Sequence, residues 1–268
     1  MLTRESYCFW DNDPSVSLEA YIPAEGENRA AIIVLPGGAY FALSDREGAE
    51  VAEYFAHKGF AAFVLRYSTM HPAFDKPHTP INSHTVFPEP MLELASAIKL
   101  IRENKNDFGV DTDKICIMGF SAGGHLAANY ANEWSSEYIS SALGCEKADI
   151  KPNCSILCYA ATKLHRASKT MNLAVFGSCD ELGDEMLSRY SAAGNVNRDT
   201  PPTFLWHTAT DNMVNVSQSV EMATALAEEG IAYELHIFSE GNHAMGLSKN
   251  LPAQPWKELA ISFIERYV

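Results

Sequence analysis

The chain has 268 residues and is 47% hydrophobic, enough to bury a substantial core, and α/β folds of this size are often one domain. With 20 basic against 34 acidic side chains the net charge is −14, so the surface repels phosphate backbones and anionic membrane faces, which argues against nucleic-acid and membrane partners. Residues 1–8 carry no basic stretch followed by an apolar one, and no apolar run reaches membrane-spanning length, a pattern that predicts a cytoplasmic chain. The cysteines Cys8, Cys116, Cys145, Cys154, Cys158 and Cys179 form no C-x-x-C pair, and several fall in strand-like runs; they read as reduced, mostly packing residues.

In chain order, residues 17–22 alternate as an edge strand does, and 23–28 form a polar turn. The continuous apolar run 30–35 predicts a central strand, which breaks into Pro36-Gly37-Gly38-Ala39-Tyr40. The spacing of Val51, Ala52, Tyr54 and Phe55 predicts an amphipathic helix over 47–58, stopped by Gly59 and followed by a buried strand over 60–65. Strand, helix and strand in succession imply a right-handed parallel crossover. Residues 71–90 carry five prolines and the histidines His71, His78 and His84 without periodicity. Their spacing matches no helical or zinc-finger ligand pattern and no cysteine or acidic cluster joins them, so the segment reads as a solvated loop near the mouth of a site.

A helix over 91–104 leads to the apolar, β-branched run 114–118, then to Gly119-Phe120-Ser121-Ala122-Gly123, then to a helix opening at Gly124. Strand, G-x-S-x-G and helix are the context of a nucleophile elbow, in which the serine sits on a strained turn with small residues two positions to either side. After a polar connection (135–152), 154–159 is a strand. Residues 160–200 are irregular apart from a short helix over 181–189, and are expected, with 71–90, to line or cover the pocket at the carboxyl ends of the strands. The acidic run Asp180, Glu181, Asp184 and Glu185 reads as a solvated helix face.

A serine hydroxyl needs an oriented imidazole to take its proton. Strand 203–207 is followed by a polar loop holding Asp211, and strand 233–238 by a loop holding His243. The order Ser121, Asp211, His243 predicts a catalytic triad of α/β-hydrolase type. The NH groups of Gly38, Ala39 and Ala122 are the candidates for an oxyanion hole, since small residues let backbone approach a developing charge. His57, His207 and His236 fall within a helix or strands and read as packed or surface residues; His125 is expected to brace the loops. Residues 217–229 and 255–268 complete the pattern as helices.

Taken together, Pro36-Gly37-Gly38-Ala39-Tyr40, the elbow with Gly124-His125-Leu126, the run from Pro201 to Thr208 before Asp211, and Gly241-Asn242-His243 resemble the bacterial acetyl-xylan-esterase-like branch of the α/β-hydrolases, close to the hormone-sensitive-lipase and feruloyl-esterase-type groups. The resemblance extends from the first glycine loop to the last helix. It implies an α/β-hydrolase fold, a mostly parallel sheet with helices on both faces, and hydrolysis of small acyl esters, typically acetyl groups on xylose-containing oligosaccharides, without metal or organic cofactor. Kynurenine formamidases in the same broad group share the elbow and a similar glycine loop, so an amidase or peptidase on the same triad stays open beside the esterase. A catalytically silent binding module is disfavoured by the presence of all three triad residues. The chain departs from the pattern at Pro36 (histidine in lipase-like relatives), Ala39 and Ala244 (often glycine) and Asn215 (often proline). A homo-oligomer is left open.

Overall fold

A computed structural model describes residues 2–8, 16–71, 87–177 and 182–268. His78, His84, Cys179, Asp180 and Glu181 lie outside these residues. Among them the strands are β1 (Leu2–Cys8), β2 (Ser17–Pro23), β3 (Arg29–Leu35), β4 (Ala61–Arg66), β5 (Val110–Phe120), β6 (Cys154–Cys158), β7 (Thr203–Thr208) and β8 (Tyr233–Phe238). The helices are α1 (Ala49–His57), α2 (Glu89–Glu103), α3 (Lys105–Phe108), α4 (Ala122–Glu133), α5 (Glu137–Leu143), α6 (Lys169–Phe176), α7 (Asp184–Arg189), α8 (Ser217–Glu228) and α9 (Trp256–Tyr267).

The strands form one sheet in the order β1-β2-β4-β3-β5-β6-β7-β8. Pairing is parallel from β4 through β8, while β2 runs antiparallel to both β1 and β4. The continuous apolar runs of the central strands arise because both faces are covered. Ala31, Ile33 and Leu35 of β3 and Ile115 and Ile117 of β5 face α2, α4 and α8, packing with Leu94, Ile98, Leu126 and Leu226. Ile32, Val34, Cys116, Met118 and Phe120 face α1 and α9, packing with Val51, Phe55, Trp256 and Phe263. Each such fully buried large side chain contributes roughly 1.5–3 kcal/mol.

Several local expectations change. The N-terminal residues, which show no apolar periodicity, form β1, held by antiparallel pairing from Leu2 opposite Pro23 to Cys8 opposite Ser17. The expected polar connection after the elbow helix contains α5 and a 3-10 turn, Lys147–Ile150, because Ile139 and Ile150 are buried anchors within polar surroundings. The helix expected from residue 47 starts at Ala49. Asp45–Glu47 instead forms a 3-10 turn with Glu47 buried. Helix α7 begins three residues later than expected, and α6 precedes it.

Candidate active site

The elbow is built where β5 ends and α4 begins. Ser121 has φ 52° and ψ −114°, a conformation unfavourable for a side chain and held by its surroundings. Its NH donates to the Cys158 carbonyl at 3.0 Å, and its carbonyl accepts from His125 at 3.0 Å and Ala161 at 3.2 Å. Small neighbours are a steric requirement. A Cβ at Gly119 would stand 2.1 Å from the Gly123 carbonyl oxygen, and one at Gly123 would stand 2.1 Å from that of Leu35.

Ser121, His243 and Asp211 come together from the ends of β5, β8 and β7. His243 Nε2 lies 2.7 Å from Ser121 Oγ, and Nδ1 lies 2.6 Å from Asp211 Oδ2. The carboxylate accepts, so Nδ1 carries the hydrogen and Nε2 is left to accept from the serine hydroxyl. The Asp211 side chain is 1% exposed and that of His243 5%.

Asp211 makes a second histidine contact. His207, fully buried on β7, places Nε2 at 3.2 Å from Asp211 Oδ2 and 3.0 Å from the Val214 carbonyl, while Nδ1 meets Ser219 Oγ at 2.8 Å. Both neighbours of Nε2 are acceptors, so Nε2 is protonated and Nδ1 accepts from Ser219. His207 is thus packed, as expected, but packed against the acid. The signal in the sequence was a histidine interrupting a buried strand four residues before Asp211, since a buried imidazole must find partners. Asp211 Oδ1 accepts from the NH groups of Met213 and Val214 at 2.8 and 2.9 Å. Burial alone would push the Asp211 carboxyl up. Hydrogen bonds from His207, His243, Val214 and Met213 more than offset it and hold the group well below the usual carboxylate range.

The glycine loop after β3 takes positive φ at three successive residues, Gly38 (130°), Ala39 (55°) and Tyr40 (57°). Ala39 adopts the left-handed conformation that glycine takes most readily. Among the described residues, the NH groups of Gly38, Ala39 and Ala122 donate to no protein acceptor. Ala122 opens α4, where the helix dipole places partial positive charge.

His125 braces the loops as expected. Nδ1 meets the Tyr40 hydroxyl at 2.9 Å and Nε2 the Tyr190 carbonyl at 2.8 Å, so Nε2 bears the proton and the ring is neutral. Burial pushes it down to about 4, only partly opposed by the Tyr190 carbonyl. A buried neutral histidine gives stability that is fully present above its unfolded value near 6.5 and is lost as pH falls toward 4. The contribution lost over that window is about 3 kcal/mol. Urea denaturation at pH 7 and pH 4 is therefore expected to show a steeper loss in the wild type than in His125→Gln, and equal slopes would rule the buried-histidine account out.

Among the described residues, no histidine other than His243 hydrogen-bonds the Ser121 hydroxyl. His57 sits on the exposed surface of α1, and His236 is half-buried beside Glu234. His71 departs from the solvated-loop expectation. It is buried, its ring 4.3 Å from that of Phe41 and its NH bonded to the Phe41 carbonyl at 2.7 Å, which ties it to the glycine loop. Asp184 and Glu185 are exposed as expected, Asp184 pairing with Arg166 at 2.7 Å. Among the described residues, no cluster of three or more histidine, cysteine, aspartate or glutamate side chains could hold a metal ion. Nor is any helix among them long and apolar enough to cross a membrane. A cleft of about 990 Å³ has His243 in its wall with Arg46, Thr210, Glu240, Asn242 and Lys249. A second, of about 930 Å³, lies between Lys163, Asp184 and Glu221 and has no triad residue in its wall.

The sheet, the strained serine turn and the order of the three groups define an α/β-hydrolase. The chain belongs to the BD-FAE family, whose model matches residues 18–226. It is similar to a protein named Endo-1,4-beta-xylanase B from Butyrivibrio fibrisolvens, at 29% identity over 236 residues, 87% of this chain and 35% of that protein. It is also similar to an acetylxylan esterase of Xylanibacter ruminicola, at 26% identity over 240 residues, 88% of this chain and 45% of that protein. The chain thus spans less than half the length of these two curated relatives. The crystal structure of an acetyl ester-xyloside bifunctional hydrolase from Caldicellulosiruptor lactoaceticus superposes with a TM-score of 0.80 at 29% identity, covering 98% of this chain and 96% of that one.

Proposed function

We propose that this chain is a serine esterase that removes short acyl groups, acetyl foremost, from carbohydrate esters such as acetylated xylo-oligosaccharides. The observation that carries the reading is the bonded array from Ser121 through His243 to Asp211, at 2.7 and 2.6 Å. His243 takes the Ser121 proton as Oγ attacks the ester carbonyl, and Asp211 stabilises the imidazolium that forms. The NH groups of Ala122 and of Gly38 or Ala39 receive the oxyanion. Collapse passes the proton from His243 to the leaving alcohol and leaves an acyl-serine. Water activated by the same imidazole then releases the acid.

The named activities of the xylan-related relatives support a sugar as the alcohol. Segments 71–90 and 160–200, which follow β4 and β6 in the sequence, are assigned the selection among esters.

The test is acetate release from acetylated xylo-oligosaccharides compared with p-nitrophenyl acetate and with hydrolysis of N-formylkynurenine. The sugar ester is expected to give the highest kcat/KM. Preference for the formamide would replace the esterase with an amidase on the same triad.

A further inference from the structure

Glu47 is 1% exposed, and a carboxylate is costly to bury unless its surroundings are built to receive it. They are. Glu47 Oε2 accepts from the Gly37 NH at 2.9 Å, Oε1 accepts from the Tyr159 hydroxyl at 2.6 Å, and Ser44 adds a side-chain hydrogen bond. The Tyr159 oxygen in turn accepts from the Gly246 NH at 2.9 Å. These partners belong to the loop after β3, the end of β6 and the loop after β8.

Each contact borders the reacting groups without touching the reacting atoms. Gly37 precedes Gly38 and Ala39, and a Cβ on it would stand 2.6 Å from Glu47 Oε2 and 2.9 Å from Ser121 Cβ. The loop is therefore pressed between the carboxylate and the nucleophile. Gly246 lies three residues after His243, and the Tyr159 ring meets the His243 ring edge-on at 4.9 Å. Tyr159 itself has φ 36°, with its NH bonded to the Trp206 carbonyl at 2.8 Å. From the far side, the Tyr67 hydroxyl donates to the Pro36 carbonyl at 2.5 Å.

We propose that Glu47 and Tyr159 are a positioning pair, a buried carboxylate and phenol that set the distance of the glycine loop and of the His243 loop from Ser121. The proposal rests on the esterase reading of Ser121. Burial pushes the Glu47 carboxyl up, opposed by the bonds from Tyr159 and Gly37 and by attraction to His243. The titratable groups within its reach are Tyr67, Cys158, Tyr159 and His243.

The experiment compares wild type, Glu47→Gln, Tyr159→Phe and the double variant on p-nitrophenyl acetate, with the active fraction counted by a serine-reactive phosphonate and folding followed by Tm. Misplacing both loops by a fraction of an ångström is expected to lower kcat per titrated site about tenfold to a hundredfold, with KM changed less than about threefold. Because the two side chains act as one unit, the double variant is expected to be no slower than the slower single variant. A lowered Tm with wild-type kcat per titrated site would make the pair structural only and overturn the proposal. Additive losses would overturn the pairing. If Glu47→Gln does not fold, Tyr159→Phe, which keeps the ring and removes only the hydroxyl, decides alone through the same kcat and KM comparison. Wild type that neither turns over ester nor takes the phosphonate would instead remove the esterase reading itself, a result read before any variant is compared.

Discussion

Ser121→Ala is expected to lower kcat on any accepted ester about a millionfold, with little change in KM. The substitution removes the oxygen that His243 Nε2 meets at 2.7 Å and leaves the rest of the pocket in place. Alanine carries the same Cβ, so the strained φ of 52° is neither relieved nor worsened, and one partly exposed hydrogen bond is lost. Stability should change by no more than about 1 kcal/mol. Initial rates on p-nitrophenyl acetate together with thermal unfolding check both halves. A variant that stays within tenfold of wild type while folded would show that another group attacks the carbonyl.

For Asp211→Asn the expected loss in kcat is about ten-thousandfold, the scale set by a histidine held in the wrong tautomer. The substitution cannot be accommodated locally. All the groups facing the carboxylate donate: two backbone NH groups on Oδ1 and two imidazole NH groups on Oδ2. An asparagine NH₂ on the Oδ1 side faces two backbone donors, and on the Oδ2 side it still faces the His207 Nε2 donor after His243 changes tautomer. Stability should therefore fall as well, by about 1–3 kcal/mol for a buried group left unpaired. Because hydrogen bonding holds the native Asp211 carboxyl below its usual range, its stabilising effect is present above about pH 4 and is lost only as pH falls below that unfolded value. A proton NMR signal from His243 Nδ1–H should be present in wild type at neutral pH and absent in the variant. Full activity in Asp211→Asn would remove Asp211 from the mechanism.

What the sequence disclosed follows from where its patterns are unambiguous. The runs of β3 and β5 read as central strands because both faces are buried, and Gly119 and Gly123 marked the elbow because no side chain fits there. The order Ser121, Asp211, His243 placed the acid and base on loops that the sheet then brings together. Strand β1 was hidden because its polar residues are held by backbone pairing, which leaves no hydropathy trace. Glu47 looked like the polar face of a helix. Its burial depends on Gly37, Tyr159 and Gly246, residues distant in sequence, and no local window contains that information. The bond from His207 to Asp211 was hidden for a related reason: a histidine in a strand reveals burial but not its partner.

The spatial order of the sheet carries a consequence for biosynthesis. From β5 onward the strands are laid side by side in the order in which they are synthesised, β5, β6, β7, β8, so a chain leaving the ribosome can extend the sheet outward one edge at a time. Ser121 emerges with the first of these strands and His243 only after the last. A nascent or prematurely terminated polypeptide that already displays the serine turn would therefore lack its proton acceptor, and reactivity would arrive late, when the outermost strand docks.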